Sequence, residues 1–253
     1  MLSVTTGKTN GTTFHPIGIR EGNLIVKNLF MEREIVQAYH LRHKIFAQKL
    51  KWVSETENML EIDVYDNYAI HFGVLDLYGK VWAYMRLITT ENTFMLEKEF
   101  LPLVGHEHEI RKEADTAELS RCCIASEARR HRISNEFGSF DIFSLLFKGI
   151  YQWCSKNNVR YLYGVTDHRV YKLLHMKGFS FALIDKPYTM PDGVVAVAVM
   201  MDWREFEILN ALKRPDMLKW FTQYQSIPVQ QHAQRHETCL KHQASEKYSL
   251  YGT

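Results

Sequence analysis

Residues 42–66 read RHKIFAQKLKWVSETENMLEIDVYD, which sets one guanidinium, two aromatic rings and a group of carboxylates close together along the chain. Arg42 can grip a carboxylate through two parallel N–H bonds. Phe46 and Trp52 can offer ring faces to a heterocycle or a cation. Glu61, Asp63 and Asp66, arranged around Tyr65, can hold a cationic group. Such a set fits a small, positively charged, partly aromatic ligand. A plainer reading needs no ligand: Phe46 belongs to a helix core and the acids lie in a solvated loop. Two further places carry charge where a fold alone would not want it. Arg86 stands among the apolar residues of VWAYMRLI, and Glu118 and Arg121 interrupt AELSRCCIA. A charge turned inward needs a partner, and the acids at 61–66 are the obvious ones for Arg42.

These side chains need elements to position them. From Glu32 onward Ile35, Tyr39, Arg42, Phe46 and Leu50 recur at helical spacing, which predicts an amphipathic helix leading into the acidic loop. Before it, 24–30 reads as a short strand or the entry to that helix. Residues 68–77 and 81–88 predict a hairpin across a turn that contains Gly79. Residues 94–104 read as a short turn or helix stopped at Pro102. A central strand is expected over 117–125, where Glu118 and Arg121 face opposite sides unless a bulge intervenes. A basic loop at 126–135 precedes a well-buried helix over 141–154. A strand at 160–165 and a helix over 168–177 closed by Gly178 follow. The last strands are expected at 179–184 and 194–201, and 203–225 as one or two helices broken at Pro215. The expected organisation is a flexible lead over 1–23, one domain over 24–210, and a helical then polar extension over 211–253.

Composition narrows the function. A net charge of +2 over 253 residues argues against general nucleic-acid binding, which needs a concentrated basic face. The four cysteines form no CxxC pair, and Cys122 and Cys123 on one strand point to opposite faces, so reduced thiols of a cytoplasmic protein are expected. The N-terminal residues lack the charged-then-apolar pattern of a signal peptide, and no apolar run reaches spanning length, so no stable membrane insertion is expected. His232, His236, Cys239 and His242 have helical spacings that suit a metal. In a tail this rich in His and Gln a solvated segment is the better reading, and no metal is expected.

The order of elements resembles the α/β fold of GNAT-like acyltransferases, a mixed central sheet flanked by helices whose central strands splay to form an acyl cleft. The motifs are more specific still. Arg42, Phe46 and Trp52, then Glu61, Asp63, Tyr65 and Asp66, then Arg86-Leu87 with Thr89 or Thr90, Met95-Leu96 and 100–103, and finally Glu118, Leu119, Ser120 and Arg121 resemble the pattern of the acyl-homoserine lactone synthases, the autoinducer synthase family. The likeness covers roughly residues 30–205. His71, the loop at 126–140 and the two ends of the chain depart from that pattern. Two other readings stay open: a sibling GNAT-like acyltransferase of the exosortase-associated type, and a non-catalytic relative that binds S-adenosylmethionine or an acyl thioester.

The resemblance implies transfer of an acyl group from an acyl-carrier protein, or from acyl-CoA, to the amine of S-adenosylmethionine, with lactonisation and release of methylthioadenosine. S-adenosylmethionine is then a substrate, and no cofactor is implied. Glu118, Arg121 and Asp63 are the catalytic candidates, with Glu118 as general base through a water. Arg42, Phe46, Trp52, Glu61, Asp66, Arg86, Phe100 and Thr166 are the substrate-binding candidates, Thr166 through a link to 3-oxo chains in some members. The glycine spacing of a phosphate-cradling loop is missing from EARRHRISNEFGSF. The basic run Arg129, Arg130, His131 and Arg132 is instead a candidate docking surface for an acidic carrier protein. An acyl tunnel is expected past the helix at 141–154 and the strand at 160–165.

Overall fold

The computed structural model describes residues 7–9 and 12–227. It opens on a small separate hairpin, β1 (Gly7–Thr9) and β2 (Thr12–Phe14). β3 (Gly18–Glu21) and β4 (Leu24–Asn28) then enter the main sheet. Within the stretch expected as a lead, Ile17 and Ile19 are fully buried and hold β3 in place. The predicted helix begins as α1 (Glu32–Arg42), but its continuation over His43–Lys49 winds as a π-helix. Such widened turns are frequent at functional sites.

The hairpin forms as expected from β5 (Ile70–Asp76) and β6 (Val81–Thr89), with Gly79 at φ +83° in its turn. After short 3-10 turns at Met95–Glu97 and Leu101–Leu103 comes the central strand β7 (Thr116–Ile124). The expected basic loop is partly a hairpin, β8 (Arg132–Asn135) with β9 (Gly138–Asp141). Asp141 then caps α2 (Ile142–Lys156) by accepting the Ser144 amide. β10 (Tyr161–Asp167) and α3 (His168–Met176) follow, and Gly178 takes the expected left-handed conformation at φ +96°. β11 (Phe181–Leu183), β12 (Tyr188–Thr189) and β13 (Val195–Asp202) complete the sheet. α4 (Trp203–Lys213) and α5 (Pro215–Thr222) are separated at Pro215, which begins the second helix. Trp220 and Phe221 are fully buried, so α5 packs into the core. The histidines and cysteine expected between 232 and 242 lie outside the described residues, as does most of the polar tail.

The main sheet runs β11-β13-β10-β7-β6-β5-β4-β3, with β12 pairing on β13. Every pairing is antiparallel except that of β7 with β10. That parallel pairing joins 116–119 to 161–164 and ends at Leu119 and Gly164. Beyond it Ser120 to Ile124 follows β6, and Val165 to Asp167 follows β13, so the two strands splay apart in the middle of the sheet. Helix α2 packs on one face, with Trp153 edge-on to Phe72. It comes so close to β4 that a Cβ on Gly149 would sit 2.4 Å from Val26, which only glycine allows. Helix α1 covers the other face over β6 and β7. Beside it a second apolar cluster, including Phe94, Leu96, Leu103 and Tyr163, closes that face over β10 and β13. Among the described residues no helix is long and apolar enough to cross a membrane.

Candidate active site

The site lies on the α1 face, and a bulge in β7 makes it possible. Tyr84 pairs with Cys123 and Arg86 with Ser120, so β7 spends one residue more than β6 over that interval. Arg121 stands in the bulge at φ +54°, a conformation costly for a residue with a Cβ. The result is that Arg121 joins the face that carries Glu118 and Ser120, which a regular strand would forbid. It also leaves Cys122 exposed and Cys123 buried, as alternation on a strand requires.

Three arginines and three acids meet there. Arg42 comes from the end of α1, Arg86 from β6 and Arg121 from β7. The acids come from the loop after α1, where Asp63 caps a 3-10 turn at Val64–Tyr68 and Asp66 returns a bond to the Asp63 amide. Arg42 donates through Nε to Glu61 at 2.5 Å and through both Nη atoms to Asp66 at 2.6 and 3.0 Å. Arg86 donates to both Asp63 oxygens at 2.5 and 3.0 Å, to Asp66 at 2.9 Å and to the Ser120 hydroxyl at 2.9 Å. Arg121 reaches Glu61 at 3.0 Å and Asp63 at 2.7 Å. Three positive and three negative groups balance, so the network can be buried without leaving a bare charge.

Burial sorts the network into a back and a front. Arg42 and Arg86 are fully covered, whereas Arg121 and Asp63 keep 16% and 20% of their side-chain surface. The direct grip of Arg42 on a substrate carboxylate has no free edge here, because Glu61 and Asp66 occupy both sides of its guanidinium. Burial pushes the Asp66 carboxyl up, but the Arg42 hydrogen bonds and the Arg42 and Arg86 charges overcome it and hold the carboxyl at about 2. In front, Phe46 and Trp52 stack at 6.1 Å with a 25° tilt, and Arg121 lies over the Phe46 ring at 5.7 Å. Trp52 is 45% exposed, an open aromatic face beside the accessible arginine.

Glu118 stands apart from this network. It lies on β7 opposite Ile88 and Tyr163, at the last pairs before the strands part. Its oxygens accept the Met95 amide at 2.6 Å and the Leu96 amide at 2.8 Å, so it caps the Met95–Glu97 turn. It makes no pair with Arg121, which is committed to Glu61 and Asp63. Burial lifts its carboxyl to about 7, against the pull of the two amides and of Arg86. A carboxyl poised there can take or give a proton at neutral pH.

The remaining sequence candidates lie farther out. Phe100 is half-buried against the cluster over β10 and β13. Thr166 is half-buried on β10 three residues beyond Tyr163, so it faces the α2 side, opposite Glu118, with the splay between them. In the basic run, Arg129 and Arg130 are exposed, while Arg132 bonds Ser139 across its own hairpin and His131 sits edge-on to Trp82 at 5.1 Å. Among the described residues no three His, Cys, Asp or Glu side chains are grouped to hold a metal. Sequence reasoning missed Tyr84 and Tyr39, whose rings face Arg42 at 5.5 and 5.1 Å, and the main-chain partners of Glu118. Alternation along β6 carried a signal for Tyr84, two residues before Arg86.

Comparison with known proteins bears on this site. A family model described as autoinducer synthase matches residues 27–209. An acyl-homoserine-lactone synthase of Aliivibrio fischeri is 30% identical over 135 residues, 53% of this chain and 67% of that protein. Among solved structures, the acyl-homoserine lactone synthase LasI superposes with a TM-score of 0.62 at 22% identity, covering 83% of this chain and 98% of its own. The CoA-dependent acyl-homoserine lactone synthase BjaI, solved with S-adenosylmethionine and isopentyl-CoA, gives 0.62 at 17% identity over 78% and 89%.

Proposed function

The chain belongs to the autoinducer synthase family, and from that footing we propose that it makes acyl-homoserine lactones, joining an acyl thioester to S-adenosylmethionine. The front of the arginine–acid network receives the amino-acid end of S-adenosylmethionine. Arg121 meets the carboxylate, Asp63 meets the ammonium or sulfonium charge, and Trp52 with Phe46 takes the adenine or the sulfonium against its ring face. Arg42, Arg86, Glu61 and Asp66 hold these front groups in place from behind. Glu118 takes a proton from the amine through a water, and the free amine attacks the thioester carbonyl. Backbone N–H groups freed where β7 and β10 part stabilise the oxyanion, and the thiol leaves. The substrate carboxylate then attacks the carbon next to the sulfonium, closing the lactone and releasing methylthioadenosine. The acyl chain passes through the splay toward Thr166 and the α2 face.

The observation that carries this reading is one buried, weakly acidic carboxyl at the splay, next to a balanced charge network with an accessible aromatic edge. The thioester is borne by a carrier protein or by coenzyme A, and exposed Arg129 and Arg130 suit the acidic surface of a carrier. The test is mass spectrometry of extract from a bacterial culture expressing the chain, read for the lactone-ring fragment. A homoserine-lactone signal is expected and reports the acyl chain directly. If soluble protein gives none, the purified protein with S-adenosylmethionine and a panel of acyl thioesters decides. Failure to release methylthioadenosine from any of them sinks the reading.

A further inference from the structure

His71 is one of the residues that depart from the family pattern, and the fold sets it behind the arginine–acid network. It lies on β5 directly across from Arg86 on β6. Its Nδ1 is 2.7 Å from the Tyr84 hydroxyl, and that hydroxyl is 3.5 Å from Nη1 of Arg42, which is also bonded to Asp66. Tyr39 of α1 covers the imidazole edge-on at 6.2 Å. Chemistry constrains the direction of this chain of contacts. A guanidinium has no acceptor, so the Tyr84 hydroxyl must turn a lone pair toward Arg42. The neutral arrangement that satisfies all three groups sends its one proton to His71, whose Nδ1 accepts it. Only the neutral imidazole with its proton on Nε2 can do so.

We propose that His71, acting through Tyr84, is a positioning residue that sets the orientation of the Arg42 guanidinium and, through Asp66 and Glu61, of the Asp63 and Arg121 edge. The charge inventory around the ring agrees. Arg42 and Tyr39 face it from α1, Asp66 from the turn beyond, and Tyr84 and Arg86 from β6. The three-against-three balance has no place for another cation. Burial, aided by the Arg42 and Arg86 charges and opposed by Asp66, brings the His71 pKa down to about 4, so the imidazole stays neutral wherever the enzyme works. The inference rests on the network's being the S-adenosylmethionine site only for its kinetic consequence; the positioning itself does not depend on the ligand.

The test uses the full chain and four variants: His71→Leu, His71→Asn, Tyr84→Phe, and the Leu–Phe double. Asparagine can place its Oδ1 where Nδ1 was and keep the acceptor. His71→Leu should raise KM for S-adenosylmethionine about tenfold, the usual scale for one hydrogen bond in a charged network, with kcat and the thioester KM within about twofold. His71→Asn should recover most of that loss, and the double variant should be no worse than Tyr84→Phe. The Nε–H resonance of Arg42 in an arginine-labelled sample gives a second readout free of substrate. It should shift or broaden in His71→Leu and Tyr84→Phe and hold in His71→Asn. Equal losses against both substrates, additive losses, or an unmoved Arg42 resonance would each overturn the inference. Wild-type protein that fails to bind S-adenosylmethionine, with the resonance still moving in His71→Leu, would overturn the ligand assignment and leave the positioning role standing.

Discussion

On one face of one sheet, the molecule treats two groups of carboxylates in opposite ways. Glu61, Asp63 and Asp66 each meet at least two arginine contacts, and Asp66 is held at about 2. Glu118, on β7, is deeply buried and accepts from two neutral amides, and burial lifts it to about 7. Asp66, held so low, stays ionised near neutrality, and the arginine-paired group is suited to fix geometry and electrostatic potential. Glu118 can exchange protons there and is suited to chemistry. The difference lies in partners rather than in residue type or depth, which is why four acids close in space can hold two separate jobs.

The largest expected effect comes from breaking the frame. Asp66→Asn removes a charge that serves Arg42 and Arg86 at once and leaves a buried guanidinium short of its counter-ion. A loss of about 3–5 kcal/mol is expected, read as a melting temperature lower by about 10 °C. The sign with pH follows from the lowered carboxyl. Asp66 contributes its full stabilisation above about 4, near its unfolded value, and loses it as pH falls toward 2. Melting curves of wild type and variant should therefore converge in acid. Curves that stay parallel down to pH 2 would remove Asp66 from the frame.

Glu118→Gln should do the reverse, lowering turnover by ~100-fold or more while costing the fold only the one amide acceptor that the Gln –NH2 cannot replace, about 1–3 kcal/mol. Wild-type turnover should rise with pH through one ionisation near 7, and the variant should lack that rise. The stability sign is opposite to that of Asp66. A carboxyl lifted to about 7 binds its proton more tightly when folded, so its ionisation weakens the fold as pH climbs from the unfolded value through 7. The variant escapes that loss, and its melting temperature should gain on the wild type in base. An acid limb at pH 4–5 would instead give the base to a carboxyl in ordinary surroundings.

Much of this contrast was legible in the residues, and the missing part has physical causes. The helical stripe as far as Arg42, the hairpin, the buried α2, Gly178 and Pro215 all depend on local spacing or local backbone preference and formed as expected, whereas the stripe's continuation to Leu50 winds as a π-helix. Arg42, Arg86, Arg121 and the three acids could be grouped because buried charges must find partners. Their sorting into back and front could not, because it depends on which side of α1 the acidic loop folds over. The placement of Arg121 needed a bulge, a register property of two strands that neither strand reveals alone. The partners of Glu118 are main-chain amides, which carry no side-chain signature. The β8–β9 hairpin hid in a basic stretch whose charges drew attention away from the alternation of Ile133 with its neighbours. The break at Pro215 foretold α5, but its place in the core was masked by the polar residues around Trp220 and Phe221, the two rings that bury it.

The smallest effect separates arginines that build the site from arginines that lie outside it. Arg129, Arg130 and Arg132 are all exposed, but Arg132 is tied to Ser139 and His131 packs on Trp82, so Arg129 and Arg130 are the pair to reverse. Reversing both to Glu should leave the melting temperature nearly unchanged, since solvated charges contribute little to the fold. If these two guide an acidic carrier protein, the variant's KM for the acyl-carrier substrate should rise several-fold at low salt and approach the wild-type value at high salt, because screening weakens steering. KM for S-adenosylmethionine should stay put, since the network proposed to hold it is built from other, paired charges. A parallel rise in both constants would mean that the substitution had reached the paired arginines through the fold, and the division between frame and surface would fail at that point. A carrier KM that does not move, with a free acyl-CoA accepted equally well, would place the donor's recognition in the splay itself rather than on the hairpin beside it.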